Sequence, residues 1–142
     1  MRARRGGAAL LGVLVAAGLA AAPPPPDHPI IGTWRLWLPG SACIETYEYR
    51  ADGTAHTLSA AEETDTQYEI SAAPDARGVY VLKDTVKKTN GKPDCSGHLT
   101  PVAEPITLYL APLRGGLLMC FDAALQRCIG PMLKLKPLQD VG

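Results

Sequence analysis

From residue 30 to residue 136 the apolar side chains recur with a period of two, and nowhere do they fall at i, i+3, i+4 and i+7 for three turns. That spacing excludes a helical core and commits the chain to strands, whose side chains alternate between two faces. The first β-rich run, 32–38, sets Trp34, Leu36 and Leu38 against Thr33 and Arg35 and stops at Pro39-Gly40. The second, 43–50, leads into Asp52-Gly53, residue types that supply the positive φ angles of a tight hairpin, and 54–59 returns from it. In 63–71, Thr64, Thr66, Tyr68 and Ile70 alternate with Glu63, Asp65, Gln67 and Glu69. A half-exposed antiparallel strand requires that pattern.

Residues 74–78 turn the chain into a fifth run, 79–88, which Asn90-Gly91 ends. Residues 92–103 read as a longer loop holding Cys95. Three further runs follow, 105–111, 116–121 and 127–135, the last two flanking a short loop at 122–126. Eight short strands joined mostly by hairpins predict an all-β, antiparallel up-and-down barrel, which removes sheet edges by closure. A β-sandwich is the alternative.

With 142 residues the chain has room for one such domain. Its first 20 residues read as a cleavable signal peptide: Arg2, Arg4 and Arg5, an apolar stretch, then Gly18-Leu19-Ala20 before the cut. The apolar run from Gly6 to Ala22 is 17 residues, mostly Ala and Gly. A membrane span needs about 20 strongly apolar ones, so no stable span is expected after processing. Residues 21–29 form a proline-rich tether, extended and read as a spacer. The barrel is assigned to 30–137 and a flexible tail to 138–142.

Loss of the three N-terminal arginines reduces the 14 basic residues to 11, against 14 acidic ones. A slightly acidic mature chain has no basic stripe for phosphates, so nucleic acid is not an expected partner. All four cysteines, Cys43, Cys95, Cys120 and Cys128, lie beyond the leader, at spacings of 52, 25 and 8 that match no common zinc site. An even number in a small exported domain points to disulfides and to a periplasmic or secreted location. Three pairings are possible. The near symmetry of Cys120 and Cys128 about the last loop favours joining them, which leaves Cys43–Cys95 to tie the second strand to the long loop.

No catalytic constellation stands out, and the chain reads as a non-enzyme without cofactor or metal. His56 and His98 make at most half of a metal site. Asp94-Cys95-Ser96-Gly97-His98 combines acid, nucleophile and base types. Neighbours in a turn rarely converge as a triad does, and the string reads as a disulfide-pinned turn. Glu45, Glu48, Glu62, Glu63, Asp65 and Glu69 are expected on a solvated outer face. Any of them turned inward would need a partner such as Arg35 or Lys83 and would mark a polar ligand site.

Gly32-Thr33-Trp34, opening the first strand, resembles the G-x-W signature of the lipocalin-like, calycin-type barrels. The stretch Cys43, Glu45, Tyr47, Tyr49 and Asp52-Gly53-Thr54 is also similar to that of small exported bacterial barrels. The resemblance implies a non-catalytic binding protein holding a small apolar or amphiphilic ligand, with Trp34, Leu36, Tyr47, Tyr49, Tyr68, Leu108 and Met119 as lining or core residues. It also implies a basic residue near the end of the last strand that covers Trp34, for which Lys134 and Lys136 are the candidates. The alternative partner is an exported protein, bound as some bacterial protease-inhibitor barrels bind theirs, through an N-terminal arm such as Pro23 to Pro29.

Overall fold

The computed structural model describes residues 22–103 and 105–137. The signal peptide at 1–20, Ala21 of the tether and the tail at 138–142 lie outside the described residues. Eight strands follow in order: β1 Gly32–Trp37, β2 Ile44–Tyr49, β3 Thr54–Ser59, β4 Glu62–Ile70, β5 Tyr80–Thr89, β6 Ile106–Leu113, β7 Gly116–Cys120 and β8 Cys128–Lys134. Each pairs antiparallel with the next, and β1 pairs with β8, so the sheet closes into an up-and-down barrel rather than a sandwich.

The alternation read from the sequence decides which face points inward. Trp34 stands opposite Tyr47 and Tyr47 opposite Thr57, while Leu82 stands opposite Leu108 and Leu110 opposite Met119. Ile30, Trp34, Leu36, Tyr49, Tyr68, Leu82, Leu108, Leu110, Met119 and Met132 form one buried cluster across the barrel's middle. Trp37 faces out and is 48% exposed. A smaller cluster of Val79, Ala111 and Cys120 is packed by Tyr109, Leu118, Leu125 and Cys128. Tyr109, Ala111, Leu118 and Cys120 alternate with the inward residues, which places this cluster on the barrel's outer side.

The disulfides are Cys43–Cys95 and Cys120–Cys128. Cys120 and Cys128 are cross-strand partners in β7 and β8. Cys43 precedes β2, and Cys95 sits in the β5–β6 loop. All four cysteines therefore lie at one end of the barrel.

The β2–β3 hairpin differs from expectation in detail. Gly53 has φ +85°, but Asp52 does not share the positive angle. Gly53 N–H donates to the Arg50 carbonyl at 3.2 Å, so a four-residue turn ends on a single left-handed glycine. Asp52 instead caps the turn, its Oδ1 accepting from the Thr54 N–H and hydroxyl. The two-residue turn is between β3 and β4, where Ala60 takes φ +52° and sets Ser59 opposite Glu62.

The proline-rich segment packs against the barrel end opposite the cysteines instead of extending as a free spacer. Pro24 and His28 are buried. His28 Nδ1 accepts from the Ile30 N–H, which leaves the proton on Nε2 to donate to the Ser71 carbonyl at 3.0 Å. Its ring meets Tyr80 edge-on at 4.8 Å. Trp34 Nε1 donates to the Ile30 carbonyl at 2.8 Å. Lys134 is the basic residue over Trp34, its Nζ 5.3 Å from the ring centroid and 2.8 Å from the Pro29 carbonyl it donates to. The stem of Lys134 crosses Gly32 so closely that a Cβ there would fall 2.7 Å from Cε. Gly32 also takes φ +132°, an angle that side-chain-bearing residues rarely adopt, so the backbone favours glycine there more than the movable lysine does.

Candidate functional site

Among the described residues a cavity stands on either side of the buried cluster, towards each end of the barrel. At the tether end a cavity of about 360 Å³ is bounded by His28, Ile30, Trp34, Ile70, Tyr80 and Leu117 among others. Its lining is almost wholly apolar, and the packed tether forms part of its wall.

The second cavity, about 300 Å³, opens at the cysteine end. Alternation along three strands builds its floor and sides: Glu45, Tyr47 and Tyr49 from β2, Thr57 and Ser59 from β3, and Glu62, Thr64 and Thr66 from β4. β5 adds Asp84 and Val86, and the opposite wall is apolar, with Leu108, Met119 and Ile129. Asp94, Ser96 and Thr100 of the β5–β6 loop reach the mouth, where Ile106 and Phe121 are 55% and 44% exposed.

Neutral donors hold the acidic groups in place. The Tyr47 hydroxyl donates to Glu45 Oε2, and the Ser59 hydroxyl donates to Glu45 Oε1 at 2.6 Å. Ser59 Oγ also accepts from the Cys95 N–H at 3.0 Å, which ties the disulfide loop to the cavity wall. Glu62 is 5% exposed, and its Oε2 accepts from the Thr100 N–H at 3.1 Å. Thr66 Oγ1 and Asp84 Oδ1 are buried without a hydrogen bond of normal length and angle, although the Thr66 hydroxyl is near enough to the Asp84 carboxyl to act on it.

Burial dominates the electrostatics here. It pushes the Asp84 carboxyl above the usual aspartate range, with the nearby Thr66 hydroxyl and the Thr85 backbone only partly opposing it. Burial, reinforced by the negative charge of Glu45, raises Tyr47 so far that it remains a phenol and a donor. Tyr49 is raised by burial and by Asp84. Tyr68 is pushed up to about 12, mainly by burial, and its hydroxyl donates to the Arg50 carbonyl.

The seven expected lining residues do not form one site. Tyr47, Tyr49, Leu108 and Met119 line the cysteine-end cavity, Trp34 lines the tether-end cavity, and Leu36 and Tyr68 belong to the core between them. The expectation of a wholly outward acidic face holds for Glu48, Glu63, Asp65 and Glu69 but is overturned for Glu45 and Glu62. Neither inward residue is met by Arg35 or Lys83, which are exposed on the outer face. Asp84 and the loop residue Thr100 were missed. A signal for all three acids was present: Glu45 lies two residues from Tyr47, Glu62 two from Thr64, and Asp84 two from Leu82, so each shares its neighbour's face.

The histidines are separated. His56 lies on the outer side of β3, where Nδ1 is 2.7 Å from Asp65 Oδ1 and that contact lowers the Asp65 carboxyl. His98 lies in the β5–β6 loop. Asp94 Oδ1 accepts from the N–H groups of Ser96 and His98, so the acid of 94–98 closes a turn, and its Cys95 is oxidised. Among the described residues no group of three or more His, Cys, Asp or Glu side chains is placed to hold a metal ion. No protein-family model, no curated protein and no solved structure matches this chain.

Proposed function

We propose that this is a non-catalytic binding protein of lipocalin-like build, which holds a small amphiphilic molecule in the cysteine-end cavity. The observation that carries the reading is the pair of buried polar atoms without a normal hydrogen bond, Thr66 Oγ1 and Asp84 Oδ1, on residues that line a cavity of about 300 Å³. Each such group costs roughly 1–3 kcal/mol unless something satisfies it. A barrel selected for stability alone would place apolar side chains there and fill the space. The volume lies at the lower edge of what small-molecule sites occupy. An apolar wall facing a polar one suits a ligand with two chemically different ends.

Two disulfides in so small a domain favour an oxidising compartment. Together with the N-terminal sequence pattern, this supports a secreted or periplasmic binding protein. Native mass spectrometry of the disulfide-intact protein, exported under its own leader, tests the reading. The expected result is a bound small mass that leaves on denaturation. An apo mass, together with a melting temperature that no amphiphile raises, would overturn it.

A further inference from the structure

We infer that the cysteine-end cavity selects organic cations, taking the ammonium group of a small aryl- or alkylamine among Glu45, Glu62 and Asp84. The inference rests on the ligand-binding reading above and adds the charge of the ligand. Glu45, Glu62 and Asp84 face one cavity, which Asp94 also lines at its mouth, and among the described residues that lining contains no Lys, Arg or His. None of the first three makes an ion pair among the described residues. The donors that orient Glu45 and Glu62 are hydroxyls and a backbone N–H, which fix the carboxyl groups without supplying positive charge.

Uncompensated acidic groups facing a partly dry cavity are unfavourable unless a cation completes them. Thr66, whose hydroxyl lies beside Asp84, adds a second indication. It is 5% exposed, lines the same cavity, and its Oγ1 makes no hydrogen bond of normal length and angle. A hydroxyl oxygen with free lone pairs is an acceptor for an N–H donor.

The geometry separates an organic cation from a metal ion. No three acidic or histidine side chains converge closely enough to coordinate a metal among the described residues, so the acids surround a space rather than a point. The rings of Tyr47 and Tyr49, stacked at 6.4 Å, add aromatic surface, which attracts an ammonium group through the ring quadrupole. The ligand's apolar part then lies along Leu108, Met119 and Ile129 towards the exposed Ile106 and Phe121. The same acids repel a carboxylate, so fatty acids and aryl acids are rejected.

Matched probes test this on the disulfide-intact protein by calorimetry: phenethylamine, phenethyl alcohol and phenylacetate, then octylamine, octanol and octanoate. In at least one set the amine is expected to bind about tenfold or more tightly than the alcohol, with no binding of the acid, as charge-assisted hydrogen bonds predict. Asp84→Asn is expected to weaken the amine about tenfold and leave the alcohol unchanged, and Glu69→Gln on the outer face to change neither. Alcohols binding as tightly as amines would overturn charge selection while the ligand barrel stands. Binding of none of the probes, with no mass bound after export, would overturn both. Because the alcohol comparison is made on the unaltered chain, it decides the matter even if a variant fails to fold.

Discussion

The two ends of the barrel are built on opposite principles. At the tether end, Trp34 is packed between Ile30 and the stem of Lys134, His28 plugs against Tyr80, and every buried polar atom just described there has a partner. Nothing covalent is needed. At the cysteine end, Glu45, Glu62, Asp84 and Thr66 occupy inward positions that a stable barrel would give to Leu or Val, and both disulfides are found there. Polar residues that cannot supply packing energy are accompanied by cross-links that restrict the unfolded chain. Stability at one end comes from burial, and at the other from covalent restraint around a site left polar.

The largest expected effect breaks the packed end. Trp34→Ala removes the ring, its hydrogen bond to Ile30 and the contact with Lys134, and is expected to destabilise by about 3–5 kcal/mol. Urea unfolding of the oxidised protein measures it; a loss under about 1 kcal/mol would mean that the disulfides hold the barrel without the plug.

The restrained end is tested by removing each disulfide through paired Cys→Ser changes. Loop entropy ranks them: Cys43–Cys95 spans 52 residues and Cys120–Cys128 spans 8. The expected losses are about 4 and about 2.5 kcal/mol. Equal losses would show that tying down the β5–β6 loop adds nothing beyond a short cross-strand link.

The smallest effect has the opposite sign. Because burial raises Asp84 in the folded state, the fold binds that proton more tightly than the unfolded chain does, and stability from this group declines as pH rises from the ordinary aspartate range through the raised value. Asp84→Asn is therefore expected to stabilise the protein at neutral pH by about 1 kcal/mol, with the gain vanishing below the ordinary aspartate value. Thermal melts across pH measure it. The depressed carboxyls on the outer face act the other way: Asp65, held down by His56, contributes stability above its ordinary value that is lost on acidification. A variant less stable than the original at neutral pH would show that Asp84 supports the fold rather than a ligand.

The tether end was largely legible in the sequence. Strand alternation turned Trp34 inward, and the resemblance of Gly32-Thr33-Trp34 to the lipocalin-like signature implied a basic residue over it, with Lys134 and Lys136 as candidates. The disulfide pairing was legible once the runs were placed, because Cys120 and Cys128 sit nearly symmetrically about the last loop. The inward acids were not read correctly, although strand alternation placed them. Acidity by itself points to solvent, whereas the side chain's face is fixed by its distance from Tyr47 or Thr64. The packing of Pro24 and His28 had no local signal, since proline-rich sequence fixes an extended backbone but not the surface it lies on.

The closing seam has a consequence for the order of assembly. Trp34 finds its partner in Lys134, so β1 and β8 meet only after nearly the whole domain exists. A chain delivered from its N-terminus can zip hairpin upon hairpin, yet its first strand keeps one edge bare until the last arrives. Such long-range closure is slow by nature, and the bare edge is the surface on which two unfinished copies would pair.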